Sequence, residues 1–291
     1  MIKYLLGVDG GGTGTRVLLA SRGGVVIAQA SAGPSALGQG VSAAWRNILD
    51  GVLHAFALAE LAVPDWSQCA LGAGLSGVHH QPWCDAFMAT NPGFAHIAVE
   101  NDAYIALLAA HKGQPGTIVA AGTGSVGEAL YADGTRHQVS GWGFPVGDEG
   151  SGAWLGLRAM SHAQEVMDRR LPGGPLATSI HQQCGHHRDA LQAWCALAGQ
   201  SEYAQLAPAV FASAASDPVA ETLLADAAVA IERMAAALDP QAALPLAVCG
   251  SVGRQLFPRL ASATRARCIA SPQDAVRGAL RLVHQSLEKS P

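Results

Sequence analysis

Val8-Asp9-Gly10-Gly11-Gly12-Thr13-Gly14-Thr15-Arg16 is the stretch on which the reading of this 291-residue chain turns. An apolar run from Ile2 to Val8 precedes it, short enough for one strand, and a second run from Val17 to Ala20 follows at once. The layout is strand, glycine loop, strand. Four glycines allow the backbone to turn through positive φ and let amide N–H groups approach a ligand with no Cβ in the way. Thr13 and Thr15 add hydroxyl donors, and together these groups suit a phosphate. Asp9 at the strand end would repel a bare polyphosphate, so it is read as facing Mg²⁺, directly or through water. The plain alternative is a hairpin whose glycines serve only the turn.

Two better-known glycine loops fit poorly. The P-loop needs a Lys after its last glycine, and none is present. The dinucleotide fingerprint needs a following helix, whereas Arg16 to Ala20 alternates and then turns at Arg22-Gly23-Gly24 into another apolar run, Val25 to Ala30.

The same layout recurs. A strand from Thr117 to Ala121 runs into Gly122-Thr123-Gly124-Ser125, a further strand to Tyr131 and a turn at Asp133-Gly134. A shift of 110 positions lays Gly12, Thr13, Gly14 and Thr15 on Gly122, Thr123, Gly124 and Ser125, and Gly24 on Gly134. Two such units predict a duplicated domain with two phosphate loops facing each other across a cleft, hinged around Gly113 to Gly116.

Between and after the loops the pattern is βαβ in style. Ser42 is read as the N-cap of a helix from Ala43 to about Leu61, with Trp45, Ile48, Leu49, Val52, Leu53 and Phe56 as its apolar face. A strand Cys69 to Ala73, a loop Gly74 to Gly77, a helix Pro82 to Met88 and a strand His96 to Val99 follow. Helices are expected over about Ser151 to Arg169, Arg188 to Leu197, Tyr203 to Ala214 and Pro218 to Leu238. A strand Pro245 to Cys249, a last strand Arg267 to Ala270 and a helix Pro272 to Leu287 complete the chain.

Composition narrows the function classes. Hydrophobic residues make up 49% and charged residues 14%, against a typical charged share of about 25%, so the chain can bury a sizeable core. A net charge of −4 and the lack of any Lys/Arg run argue against nucleic acid or an anionic membrane as partner. No stretch approaches about 18 uninterrupted apolar residues, and the first apolar run is too short for a signal peptide, so the expected compartment is the cytoplasm. Cys69, Cys84, Cys184, Cys195, Cys249 and Cys268 form no C-x-x-C pair and are read as buried free thiols. The pairs His79-His80 and His186-His187 lack the spacing of a helical metal site and are read as surface or core residues, and Trp142 is read as core in preference to a surface residue that stacks on a sugar face.

Phosphoryl transfer needs phosphate donors, a metal and a carboxylate to orient or deprotonate the attacking hydroxyl. Asp102, after a strand in Glu100-Asn101-Asp102-Ala103 and at the start of a helix through Ala110, is the candidate base. Its other reading is a helix cap. Gly141 to Gly152 is a glycine-rich loop presenting Asp148 and Glu149, suited to binding sugar hydroxyls or to charging a helix N-terminus. Gly250-Ser251-Val252-Gly253 is either a nucleotide-contacting turn or an ordinary strand-to-helix loop.

Asp9-Gly10-Gly11-Gly12-Thr13, Asn101-Asp102-Ala103, Gly122-Thr123-Gly124-Ser125, Gly147-Asp148-Glu149-Gly150-Ser151 and Gly250-Ser251-Val252, in this order, resemble the N-acetylglucosamine kinase and BadF/BadG-type group of the actin-like ATPase and sugar kinase superfamily. The likeness extends to Tyr203 through Leu238 and to Ser271-Pro272-Gln273-Asp274-Ala275, which are similar to stretches of bacterial glucosamine kinases. The resemblance implies an α/β fold of two ribonuclease-H-like (actin-like ATPase) domains with a central inter-domain cleft. Residues 1–114, joined by a C-terminal helix at 271–291, would form the first domain and residues 115–270 the second. It implies ATP and Mg²⁺ as cofactors, a small-molecule amino sugar phosphorylated at its 6-hydroxyl (N-acetylglucosamine or glucosamine), and a homodimer.

By the same resemblance Asp9 serves the metal, and Gly11, Gly12, Thr13, Gly122, Thr123 and Gly124 contact phosphates. Gly250 and Ser251 approach the adenosine. Asp102 is the catalytic base, and Ser76, Asn101, Asp102 and Asp148 bind the sugar. One departure concerns the pocket for the amino group: many relatives carry an Asn after the third strand, where Gly33-Pro34-Ser35 is here followed by Ala36 and Leu37. The competing reading on the same fold is an ATPase activating a radical reductase. Such activators carry a cysteine near the second glycine loop, and none lies between Cys84 and Cys184.

Overall fold

The computed structural model describes residues 1–269 and 274–289. It divides into two compact units, Met1–Pro115 with Ser271–Pro291, and Gly116–Ala270. The first opens with β1 (Tyr4–Gly10), β2 (Thr15–Ser21), β3 (Val26–Ala32), α1 (Val41–Leu58), β4 (Cys69–Leu75), α2 (Gln81–Ala89), β5 (His96–Glu100) and α3 (Asp102–Ala110). The second contains β6 (Gly116–Ala121), β7 (Ser125–Leu130), β8 (Arg136–Ser140), α4 (Gly152–Met167), α5 (Pro175–Cys184), α6 (Arg188–Leu197), α7 (Gln200–Ala204), α8 (Ala207–Ser213), α9 (Pro218–Leu238), β9 (Leu246–Cys249), α10 (Ser251–Leu256) and α11 (Ser262–Ala266). Helix α12 (Ala275–Lys289) belongs to the first unit.

The first sheet runs β3-β2-β1-β4-β5, with β1 to β3 antiparallel and β4 and β5 parallel to β1. Alternation along the strands sorts its two faces. Leu6, Val8, Val17, Leu19, Leu71 and Ala73 pack with Ile48, Val52 and Phe56 of α1. Leu5, Leu18, Ala20 and Ala70 pack with Val276, Leu280 and Val283 of α12. The second face is held very close. A Cβ on Gly72 would lie 2.1 Å from Ala279 O, and one on Gly278 would lie 1.7 Å from Ile105 O. Here glycine inside a strand and a helix marks close backbone approach.

The second sheet, β8-β7-β6-β9, repeats the pattern, with β6 to β8 antiparallel and β9 parallel to β6. The paired turns match in detail. Gly24 and Gly134 have φ of 81° and 84°, and their amides donate to Ser21 O and Tyr131 O. The loops, however, differ in length. Gly10 pairs with Thr15 in the first and Ala121 with Ser125 in the second, so the second loop is one residue shorter and the 110-residue shift holds only beyond it.

Several expected elements are displaced. Ser42 lies inside α1, which starts at Val41 because Gly40, at φ 113°, turns the chain out of the 3₁₀ segment Leu37–Gln39. Leu53 is exposed, and Ala44 and Ala55 join Trp45, Ile48, Val52 and Phe56 on the buried face. The expected helix Tyr203 to Ala214 is two helices, α7 and α8, with Pro208 in the first turn of the second. Neither β8 nor α5 was foreseen. Of the expected strand Arg267 to Ala270, the described part makes a single bridge, Cys268 to Leu246. Ala270, Ser271, Pro272 and Gln273 lie outside the described residues. Among the described residues no helix is long and apolar enough to cross a membrane.

Candidate active site

In the first unit, the odd-numbered residues of β1 face α3 and α12, which brings Asp9 to that side at the carboxyl end of the parallel strands. Arg16 is its cross-strand partner in β2. Arg16 Nη2 donates to Asp9 Oδ2 at 2.6 Å, and Nη1 lies 2.8 Å from Oδ1 of Asp274, the residue before α12. That second contact has the distance of an ion pair without the angle of a hydrogen bond. Burial pushes the Asp9 carboxyl up, the Arg16 guanidinium opposes this, and the carboxylates of Asp102 and Asp274 add to the rise.

Asp102 opens α3 half-buried. Burial pushes its carboxyl up, opposed by the Ala103 amide, which donates to Oδ1 at 2.9 Å, and by nearby His79. The capping role belongs to Asn101, whose Oδ1 accepts from Tyr104 N at 2.6 Å. Asp102 is therefore not the N-cap, and a carboxylate with a raised pKa on this face is fit to accept a proton. Asn101, expected at the sugar, is buried and spends its carbonyl on the cap. Ser76 ties the loops together: its N donates to Gly10 O and its O accepts from Leu37 N, each at 3.0 Å.

The first glycine loop differs from expectation in two respects. None of Gly10, Gly11, Gly12 and Gly14 adopts a left-handed φ. Gly10 is required because a Cβ would lie 2.0 Å from Ser35 Oγ, while a Cβ on Gly11 would meet nothing within 4 Å; the Gly11 amide is spent inside the loop, donating to Gly14 O at 3.0 Å. Thr15 is not a ligand donor. Its hydroxyl is buried and bonded to Gly33 O at 2.6 Å and Ser35 Oγ at 2.7 Å, bracing the loop against the segment after β3. Thr13 stands exposed, and Gln39 Nε2 donates to Gly12 O at 3.1 Å.

In the second unit Thr123 is likewise exposed and Gly122 has open space around its Cα. Ser125, the counterpart of Thr15, donates to Glu149 O at 2.7 Å. Asp148 is 4% exposed at φ 62° and accepts from Gln200 Nε2 at 2.6 Å, with the Ser125 and Gly143 amides near its carboxylate. Burial pushes its carboxyl up against those three groups. A Cβ on Gly124 would lie 2.8 Å from Asp148 Oδ2, so this carboxylate is packed directly against the loop. Ser151 is the N-cap of α4, accepting from Trp154 N at 3.1 Å, and Glu149 accepts from Ser140 Oγ at 3.1 Å. Gly250, at φ 84°, is the N-cap of α10, and a Cβ there would lie 2.1 Å from Ala121 O.

Three residues escaped the sequence reading: Arg16 as partner of Asp9, Asp274 as partner of Arg16, and Gln200 as partner of Asp148. The period-2 pairing across the first hairpin was the available signal for Arg16. Trp142 is not core. It is 86% exposed on a loop whose Gly141 and Gly143 take φ of 72° and 85°. The histidine pairs are exposed, and His187 Nδ1 caps α6 by accepting from Ala190 N. All six cysteines are free, but only Cys69 and Cys184 are buried; Cys84, Cys195, Cys249 and Cys268 are partly exposed.

For a divalent cation the available donors on the first unit are carboxylate oxygens, the hard ligands Mg²⁺ prefers. Among the described residues no three side chains form a protein-only metal cage.

The chain is 32% identical over 280 residues to the glucosamine kinase GspK of Vibrio cholerae, covering 96% of this chain and 95% of that one. Among solved structures, a candidate N-acetylglucosamine kinase from Chromobacterium violaceum superposes with a TM-score of 0.94 at 45% identity, covering 97% of this chain and 99% of that one. A ROK family glucokinase from Streptomyces griseus shares the fold, with a TM-score of 0.53 at 17% identity over 97% of this chain and 99% of that one. The fold is thus that of the actin-like ATPases and sugar kinases. The BadF/BadG/BcrA/BcrD ATPase family matches residues 6–246, and the chain belongs to that family.

Proposed function

We propose that the protein is an ATP-dependent amino-sugar kinase that phosphorylates the 6-hydroxyl of glucosamine or N-acetylglucosamine. The observation that carries this reading is Asp102: a half-buried carboxylate with a raised pKa, relieved of helix capping by Asn101, on the same face of the sheet as Asp9. The similarity to the Vibrio cholerae glucosamine kinase supports the substrate class. The sheet pattern of each unit supports two ribonuclease-H-like domains.

In this reading Asp102 accepts the proton of the 6-hydroxyl as that oxygen attacks the γ-phosphorus of ATP. The amides of Gly12 and Gly124, with the exposed hydroxyls of Thr13 and Thr123, hold the phosphates, and Gly11 and Gly122, whose own amides close the two loops, leave room for them to approach the backbone. Asp9 serves Mg²⁺, which when bound neutralises charge on the transferring phosphoryl group. Asp148 orients sugar hydroxyls with lone pairs left over from its bond to Gln200, Ser76 and Asn101 line the sugar side, and Gly250 and Ser251 approach the adenosine. The setting proposed is a cytoplasmic homodimer, checked by light scattering on purified protein. The test of the activity is kcat/KM across glucosamine, N-acetylglucosamine, N-acetylmannosamine and glucose with ATP and Mg²⁺. Phosphorylation of an amino sugar at O6 is expected. ATP hydrolysis with no sugar phosphorylated would overturn the reading.

A further inference from the structure

We propose that Arg16 is a resident counter-ion: it bridges Asp9 and Asp274 in the metal-free protein and shifts wholly onto Asp274 when a divalent cation claims Asp9, so that cation loading is felt at the start of α12. The proposal rests on the reading of Asp9 as the metal-side carboxylate.

The register of the first hairpin sets Asp9 and Arg16 directly opposite each other, so the pair is built into the sheet. One guanidinium is divided between two carboxylates, Nη2 on Asp9 at 2.6 Å and Nη1 near Asp274 at 2.8 Å. A planar fork can serve both, but only the Asp9 contact has hydrogen-bond geometry; Asp274 Oδ1 is buried without a hydrogen bond. Asp274 thus has unused accepting capacity for the same cation. The Arg16 side chain is 48% exposed, so it can move from one carboxylate to the other without opening the core. Asp274 in turn is joined to the first turn of α12, where Arg277 N donates to its O at 2.9 Å. A divalent cation arriving at Asp9 supplies the positive charge that Arg16 provides in its absence. Two cations at one carboxylate repel, and Asp274 is the acceptor within reach.

The probe is Mn²⁺ alone, titrated into nucleotide-free protein and followed by electron paramagnetic resonance. Arg16→Gln removes the internal competitor and should tighten Mn²⁺ binding roughly tenfold, the gain expected if Arg16 holds Asp9 about nine-tenths of the time. Arg16→Lys should fall between wild type and Arg16→Gln. Asp274→Asn should weaken Mn²⁺ binding, because the displaced guanidinium loses its second carboxylate. In wild type, Mn²⁺ should also change hydrogen exchange of the amides at 276–279, and in Arg16→Gln it should not. Thermal melts establish that each variant is folded. Unchanged, weaker or undetectable Mn²⁺ binding in Arg16→Gln overturns the proposal. Asp9→Asn separates the two levels: if it binds Mn²⁺ as wild type does, the assignment of Asp9 itself fails.

Discussion

Asp102→Asn separates the catalytic role of this carboxylate from any structural one, because the two predict opposite results. The native contacts that depend on Asp102 are few. Its Oδ1 accepts from Ala103 N at 2.9 Å, which an Asn oxygen can also do, and the N-cap is supplied by Asn101. The substitution loses the attraction of a carboxylate for a helix N-terminus, about 0.3–1 kcal/mol. Against this stands burial, the largest influence on Asp102, which raises its pKa above 3.8. For an acid raised in this way the folded state binds the proton more tightly than the unfolded state. Stability is greatest below 3.8 and declines as pH rises through the folded value. At neutral pH the charged Asp102 therefore opposes folding, and Asn relieves that cost. The net change should lie within about 1 kcal/mol of zero, a shift in Tm of no more than roughly 2–4 °C. The rate should fall by about 10²–10⁴, the usual worth of a general base, equivalent to about 2.7–5.4 kcal/mol of transition-state stabilisation. Steady-state kinetics with a coupled ADP assay and a thermal melt on the same preparation make the measurement. Wild-type kcat/KM should also decline as pH falls through the raised Asp102 value, and that acid limb should be lost in the residual activity of the variant. Near-normal kcat, or a loss of activity matched by a collapse in Tm, would refute the reasoning.

Asp148→Asn places an NH₂ against the Gln200 amide and the nearby Ser125 and Gly143 N–H groups at a buried site, so it should cost about 1–3 kcal/mol. Tm should fall and KM should rise for ATP as well as sugar, because Asp148 lies against Gly124; a rise confined to the sugar, with Tm unmoved, would reduce it to a sugar ligand alone. Gly278→Ala drives a Cβ to 1.7 Å from a backbone carbonyl of α3, which cannot yield as a side chain tip would. A loss of about 2–3 kcal/mol is expected, and an unchanged melting curve would show that α12 is not seated as described. Thr13→Val and Thr123→Val remove exposed hydroxyls and should each raise KM for ATP up to about tenfold with Tm unaffected. Unaltered kinetics would exclude those hydroxyls from the phosphates.

The duplication was legible because glycine loops and turns are punctuated by residues with few substitutes. Gly24 and Gly134 adopt φ of 81° and 84°, a region that glycine occupies at no cost. The shorter second loop was not legible, since sliding Gly12-Thr13-Gly14 onto Gly122-Thr123-Gly124 aligns identities and hides the missing residue. Strand β8, Arg136-His137-Gln138-Val139-Ser140, is a sheet edge with little apolar alternation, and only pairing with β7 makes it a strand. Helix α5 follows Pro172-Gly173-Gly174, which reads as loop, although Pro175 occupies a position where a helix start tolerates proline. Asn101 and Asp102 are both able to cap α3, and one-dimensional pattern gives no basis for choosing between them. Gln200 meets Asp148 across 52 residues of chain, a contact that local spacing does not reveal.

The loop lengths also show how the two repeats have diverged. Because Gly10 closes the first hairpin with Thr15, and Ala121 the second with Ser125, the structural counterpart of Asp9 is Ala120, and that of Arg16 is Val126. Ala120 pairs with Val126 just as Asp9 pairs with Arg16. At this position the second unit has two apolar residues where the first has an ion pair that draws in Asp274. The elements that the repeats keep in common are a glycine amide that closes the loop, Gly11 N on Gly14 O and Gly122 N on Gly124 O, the exposed threonine and the buried hydroxyl that braces the loop, Thr15 on Gly33 O and Ser125 on Glu149 O. Shared parts of this kind suit a ligand with repeated phosphates, whereas charged groups confined to one repeat suit chemistry with a direction. In the proposed kinase, the first unit would thus carry the cation and the base, and the second would carry phosphate contacts and the braced Asp148. At this cross-strand pair the two units keep the same pairing and differ in both side chains, so the ion pair belongs to the first unit alone.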